Sequence, residues 1–415
     1  MTIRDLIITP IAFRDPPLLN STGVHEPLAL RCVLELVTDD GVIGLGESPG
    51  DKEHLERLAV AREAVLGMDV FATTAIGRAV DAALGGPGGP VPTTARAGVF
   101  SAIEVACLDA QGKITGRPVC DLLGGAVRDA VPYSAYLFYK WAEHPAQDGR
   151  GPVPDEWGEA LDPEGIVAQA RRMVDLYGFR SLKLKAGVFP PDEEIAAIRA
   201  LAEAFPGRPL RIDPNYAWTP ETSRRVAREL DGVLEYLEDP TPGFDGLASV
   251  AATANMPLAT NMCVVSFETV RPAVERNAVQ VILSDHHYWG GLRRTRELGA
   301  VCEAFGLGMS MHSNSHLGIS LAAMTHVAAA TPNLTYACDT HYPWNHEDDV
   351  VVPGALRFVD GSVPVPDGPG LGVELDREAL AERHQAYLES GRERRDDTGY
   401  RCRLDPGYDP TIPRW

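Results

Sequence analysis

The chain has 415 residues and a net charge of -20, from 58 acidic and 38 basic side chains. That balance argues against nucleic acid or an anionic membrane as partner, although a few local cations can still receive an acidic small molecule. The length points to a two-domain enzyme with a large core. The seven scattered cysteines, with no Cys-x-x-Cys, fit a reduced cytoplasm better than a disulfide or zinc framework. The start has no signal-peptide layout, and no apolar run reaches membrane-spanning length.

The first 130 residues read as an α+β unit. Pro16–Pro27 is a polar loop carrying His25. Arg31–Val37, the turn Asp39-Asp40-Gly41 and Val42–Gly46 form a hairpin. Gly41, Gly44, Gly46 and Gly50 lack the G-x-G-x-x-G spacing of a dinucleotide loop, and turns and bulges account for them better. Helical patterns follow at Lys52–Leu66 and Phe71–Leu84, and a third is capped by Thr93 or Thr94.

From Val131 short apolar strands alternate with helical segments. The strands are Val131–Phe138, Leu182–Lys185, Leu210–Asp213, Leu234–Glu238, Pro257–Asn261, Val279–Asp285, Leu307–His312 and Leu334–His341. Helical stretches include Pro163–Tyr177, Asp192–Phe205, Pro220–Leu230 and Leu292–Phe305, while Trp141–Pro163 reads as an excursion over a barrel mouth. Eight strands recurring roughly every 25 residues predict a (β/α)8 barrel. In Ser181-Leu-Lys-Leu-Lys185 the period of two puts Lys183 and Lys185 on one face, where each ammonium should depress the other's pKa.

Strand ends carry polar groups, and a barrel gathers such ends around one site. Asp213, Glu238 and Asn261 are hard oxygen donors on three successive strands, a set suited to Mg²⁺. Lys185 and His312 are candidate bases, with Asp285 placed to hold the imidazole tautomer and Lys183 to receive a substrate carboxylate. The implied reaction removes a proton α to a carboxylate, with Mg²⁺ stabilising the resulting enediolate. A Schiff-base aldolase also sets a lysine on a barrel strand, but it leaves the three oxygen donors without a role.

The motifs Lys183-Leu-Lys185, Asp213-Pro-Asn215, Leu237-Glu-Asp-Pro240, Ala259-Thr-Asn261, Asp285, His312-Ser-Asn314 and Asp339-Thr-His341 resemble the enolase superfamily, mandelate racemase subgroup, and within it the glucarate dehydratases. The resemblance covers residues 20 to 400. It implies a (β/α)7β barrel over residues 131–355, with a capping domain of residues 1–130 completed by the tail 356–415. It implies Mg²⁺ on Asp213, Glu238 and Asn261. His312 with Asp285 would take the C5 proton of D-glucarate, and Lys185 would serve the opposite face, that of L-idarate. Loss of the C4 hydroxyl would give 5-dehydro-4-deoxy-D-glucarate. Asn215 and Asn314 resemble polar contacts to the reacting end. His25, Thr94 (Thr93 fits almost as well), Tyr136, Phe138, His341 and Arg395 resemble substrate contacts. Tyr216, His286, Ser315 and Ala186 depart from the family pattern and bear on substrate identity. Galactarate, an aldonate or a catalytically weak paralogue are the alternatives. The partner implied is a dicarboxylate acid sugar, and self-association into a homo-oligomer is expected.

Overall fold

The computed structural model describes residues 1–146 and 152–415, so part of the Trp141–Pro163 excursion lies outside the described residues. An N-terminal sheet is built from β1 (Ile3–Arg14), β2 (Leu28–Thr38) and β3 (Ile43–Pro49), all antiparallel, with β2 central. The hairpin reading found β2 and β3 but not β1. Pro10 interrupts the strand signal there, and an edge strand tolerates it because one side of its backbone has no ladder to complete. Helices α1 (Lys52–Val65), α2 (Thr73–Ala83) and α3 (Thr93–Thr115) cover the sheet. Gly44 and Gly46 in β3 face α3 so closely that a Cβ would strike the carbonyls of Ala106 and Ala102. They are packing glycines rather than a phosphate loop, and Gly41, at φ +89°, makes the hairpin turn.

The second unit is a modified TIM barrel capped by the N-terminal domain. Its parallel strands are β4 (Ser134–Phe138), β5 (Ser181–Lys185), β6 (Leu210–Asp213), β7 (Leu234–Glu238), β8 (Leu258–Thr260), β9 (Val281–Ser284) and β10 (Gly308–Met311), paired in that order. Helices α4 (Pro163–Tyr177), α5 (Pro191–Ala204), α6 (Pro220–Glu229), α7 (Phe244–Ala251), α8 (Phe267–Glu275), α9 (Leu292–Phe305) and α10 (Gly318–Ala329) follow successive strands. Two strand expectations need correction. Val131–Phe138 splits, because Ala130–Pro132 pairs outside the barrel with Ser362–Pro364. Leu334–His341 is not a regular strand. Thr335 and Tyr336 both donate to the Met309 carbonyl, so the alternating ladder never starts. One bridge, Tyr133 to Cys338, and the bond from Asp339 N–H to Met311 O close the seam instead.

Alternation along the strands sorts the side chains. Leu182 and Leu184 of β5 join the hydrophobic layer shared with the helices, while Lys183 and Lys185 turn inward. A small inner cluster of Tyr236, Ala259, Val281 and Leu283 packs apart from that layer, and the Arg211 guanidinium lies 4.6 Å from the Tyr236 ring. The C-terminal segment returns to the N-terminal unit. Helix α11 (Arg377–Ser390) packs on β1, with His384 Nδ1 2.7 Å from Pro10 O, and α12 (Asp397–Leu404) packs beside Gly23–Val24. Among the described residues no helix is long and apolar enough to cross a membrane.

Candidate active site

The carboxyl ends of the barrel strands converge as the alternation requires. Lys183 Nζ is fully buried, 2.6 Å from Asp339 Oδ2, 2.6 Å from Glu238 Oε2 and 3.4 Å from Asp213 Oδ2. Lys185 Nζ contacts the same Asp213 oxygen at 2.7 Å and Asn215 Oδ1 at 3.0 Å. The two ammonium groups therefore share one carboxylate. This overturns the expectation of depressed lysine pKa values. Burial and mutual repulsion act downward on Lys185, but the Asp213 charge outweighs them and holds it above the ordinary value. Burial likewise acts downward on Lys183, and Asp339 and Glu238 reverse it.

The acidic groups are strained by the same burial. Burial raises the Glu238 carboxyl well above its ordinary range, with Asp213 and Asp339 adding to the effect of burial. Apart from the Lys183 ammonium at Oε2, neither buried Glu238 oxygen has a hydrogen-bond partner among the described residues. Asp213 goes the other way, to about 2, because Lys185 and Lys183 overcome its desolvation. Burial and the Asp213 charge push Asp239 up to about 7. Its Oδ1 accepts from Thr260 Oγ1 at 2.5 Å and its Oδ2 from the Asn261 N–H at 2.9 Å, which fixes the turn that carries the Asn261 amide. Asn215 lies at φ +50°, and its N–H returns to Asp213 Oδ1 at 3.0 Å. Two buried carboxylates that meet the Lys183 ammonium and an amide at the end of the next strand are hard-oxygen donors of the kind that suits a divalent cation.

On the other flank His312 Nδ1 stands 3.0 Å from Asp285 Oδ2. Burial alone would raise Asp285, but its contacts with His287 and His312 hold it well below the usual carboxylate range. Lys185 and His312 both line a cavity of about 390 Å³, together with His25, Tyr136, Phe138, Asn215, Asn314, His341 and Arg395. The strand order puts the lysine on β5 and the histidine after β10, with β6, β7, β8 and β9 between them. Lys183, Asp213 and Glu238 are buried behind this lining. The aromatic wall is tight, with Tyr136 and His341 centroids 4.8 Å apart and Phe138 and His341 5.3 Å apart. His25, a loop histidine, is 7% exposed, and its Nδ1 lies 3.2 Å from Asp15 Oδ2.

Arg395 is held by four hydrogen bonds. Asp397 takes it in a two-pronged grip at 2.8 and 3.0 Å, and Asp15 Oδ2 and Ser315 Oγ accept from NH1 at 2.8 and 3.0 Å. Thr94 does not join the cavity. It is exposed in the first turn of α3, as is Thr93, so the expected substrate contact does not match its position. Of the departures from the family pattern, Tyr216 is directed to Thr260 and Cys263 rather than to the cavity, whereas Ser315 is part of the Arg395 mount. The sequence reading passed over Asp15, Arg31, Tyr288 and Ser21. Asn314 Nδ2 donates to the Tyr288 hydroxyl at 3.1 Å, and Asn215 Nδ2 donates to Ser21 Oγ at 3.3 Å.

Comparison with known proteins decides the family. The pattern described as enolase C-terminal domain-like matches residues 165–379. The chain belongs to the enolase superfamily. A Streptomyces coelicolor protein named "Probable glucarate dehydratase" is 54% identical, covering 100% of this chain and 99% of that protein. A Mycobacterium smegmatis enolase solved with tartrate is 63% identical with a TM-score of 0.96, covering 100% of this chain and 98% of the other. A Thermobispora bispora enolase solved with magnesium and formate is 60% identical with a TM-score of 0.97 and covers both chains in full.

Proposed function

We propose that this enolase-superfamily member is a Mg²⁺-dependent acid-sugar dehydratase acting on D-glucarate. The observation that carries the reading is that Lys185 and His312 line one cavity, with the Asp213–Glu238 carboxylate pair buried beside Lys183 behind it. The relative named as a glucarate dehydratase and the neighbours solved with tartrate or magnesium support the substrate class and the ion.

Asp213, Glu238 and Asn261 would hold the ion, which supplies positive charge where a substrate carboxylate gathers electrons as its α-carbon is deprotonated. The chain's own residues do the rest. His312, its Nδ1–H given to Asp285, presents Nε2 as the acceptor of the C5 proton of D-glucarate. The electron pair left at C5 closes the C4–C5 double bond as the C4–O bond breaks. The hydroxyl leaves as water with a proton returned from the site, and the enol settles to the 5-keto product. Lys185 lines the same cavity from β5 and would take the C5 proton of L-idarate once the Asp213 charge that keeps its ammonium protonated is balanced by the bound ion. Asn215, hydrogen-bonded to Lys185, and Asn314, steadied by Tyr288, orient the reacting end. His25, Tyr136, Phe138 and His341 shape the wall, and Arg395 receives the distal carboxylate. An aldonate would leave without an acceptor the one Arg395 N–H that Asp397, Asp15 and Ser315 do not take.

Product identification tests this reading. Purified protein with D-glucarate and Mg²⁺ should yield 5-dehydro-4-deoxy-D-glucarate by NMR, and a chelator should stop the reaction until Mg²⁺ is restored. Turnover of galactarate or an aldonate in preference to D-glucarate, or full activity in chelator, would overturn it.

A further inference from the structure

Asp285 serves two histidines. Its Oδ2 meets His312 Nδ1 at 3.0 Å, while its Oδ1 takes His287 Nδ1 at 2.8 Å and the His287 backbone N–H at 2.9 Å. The far nitrogen of His287, Nε2, stands 2.9 Å from Arg31 NH2 and 3.1 Å from Ser320 Oγ. A guanidinium donates and never accepts. Nε2 is therefore the accepting nitrogen of His287, and its Nδ1 carries the hydrogen given to Asp285. Arg31 is itself fixed, with Nε 3.0 Å from Glu47 Oε1, and Glu47 accepts the backbone N–H groups of Leu317 and Ser320 at 3.0 and 2.9 Å. Every member of the series is buried, with Arg31 at 4%, Glu47 at 2%, Asp285 at 4% and His287 at 5% exposure.

We propose that Arg31 and His287 are positioning residues for the His312 base. Arg31 selects the His287 tautomer, and the His287 N–H occupies Asp285 Oδ1. That leaves Oδ2 aimed at His312 Nδ1, which in turn sends Nε2 toward the substrate. The opposite tautomer would set an N–H against the guanidinium and a lone pair against the carboxylate. The proposal rests on the reading of His312 as the base. Arg31 and Glu47 belong to β2 and β3, whereas Asp285, His287 and His312 belong to the barrel. The seating of the N-terminal sheet therefore prepares one base. Lys185 depends on that sheet less directly, because its partners Asp213 and Asn215 are both in the barrel and the N-terminal unit reaches this flank through a loop hydroxyl, Ser21 Oγ, 3.3 Å from Asn215 Nδ2. Asp285, His286 and His287 lie close enough together to hold a metal. Both Asp285 oxygens and both His287 nitrogens are already committed, so the cluster is a hydrogen-bond relay instead.

The test is face-selective exchange. Mg²⁺-loaded wild type and His287→Phe are incubated in D₂O, and loss of the C5 hydrogen is followed by NMR for D-glucarate, on the His312 face, and for L-idarate, on the Lys185 face. In His287→Phe exchange from D-glucarate should fall about ten-fold or more, while exchange from L-idarate changes less than about two-fold. His287→Gln, which keeps a donor for Asp285 and an acceptor for Arg31, should recover most of the loss. Ser320→Ala removes the second group at Nε2 without stranding a charge. It should show the same selectivity on a smaller scale, and it carries the test if His287→Phe does not fold. Equal losses on both faces, or no loss on the D-glucarate face, would overturn the relay. A wild type that exchanges neither epimer would instead overturn the functional reading, and the relay with it.

Discussion

The two flanks of the cavity hold the two proposed bases, Lys185 and His312, by different physics. On the lysine flank charge compensates charge at short range. Lys183 and Lys185 crowd against Asp213, and the charged supporting groups lie within the barrel, the N-terminal unit adding the Ser21 hydroxyl behind Asn215. On the histidine flank orientation is passed along hydrogen bonds, and the series leaves the barrel for the N-terminal sheet. The loops after the bases show the same contrast. Glu194 accepts the N–H groups of Gly187, Val188 and Phe189 behind Lys185 with no cationic partner among the described residues, and burial pushes it up to about 7. Glu47 does the matching work behind His312. Burial would raise it too, but Arg31 holds it below its ordinary value. A buried carboxylate organises a loop either way, and its cation decides whether that costs stability at neutral pH.

Four experiments can break this contrast. The largest effect is expected from His312→Ala, which removes the proposed base and should lower D-glucarate turnover by about 10²–10⁴-fold while Mg²⁺ binding, measured by calorimetry, persists. Next comes Lys185→Met. It should cut C5 exchange from L-idarate by about 10²-fold or more and spare exchange from D-glucarate by comparison. Similar losses for both epimers in both variants would erase the division into flanks. Arg395→Lys keeps the charge but not the fork. It should raise KM for D-glucarate by roughly ten-fold with a smaller change in kcat.

The smallest effect concerns stability. With a folded pKa near 7, above its ordinary 4.5, the Glu194 carboxyl holds a proton that the unfolded chain releases. Folding is therefore favoured below pH 4.5, and that advantage is lost as pH rises through 7. Glu194→Gln cannot lose it. Between pH 5 and pH 8 the variant should gain about 1–3 kcal/mol on the wild type in urea unfolding.

The parts of the site that were legible in the sequence are those set by local period and by strand ends. Lys183 and Lys185 share a face because the strand repeat is two, and Asp213, Glu238 and Asn261 fall where β6, β7 and β8 stop. What escaped depends on docking between distant segments. Arg31 sits within a hairpin strand, and nothing in its neighbourhood says that the barrel will cover it. Asp15 lies before a proline-marked loop and becomes a mount only when Arg395 arrives 380 residues later. Leu334–His341 has the composition of a strand, yet Thr335 and Tyr336 spend their donors on a single carbonyl. Thr94 matched by motif but stands in the solvent-facing turn of α3.

The Arg395 mount has a mechanical consequence. Asp15 comes from the end of the N-terminal sheet, Ser315 from the barrel rim and Arg395 from the returning tail, and they meet at one guanidinium. A dianion spanning from there to a cation on the buried carboxylates would act as a rivet through these three segments. Occupancy should therefore tighten the whole assembly, with a melting temperature that climbs with the logarithm of dicarboxylate concentration and much less with a monocarboxylate too short to reach both ends.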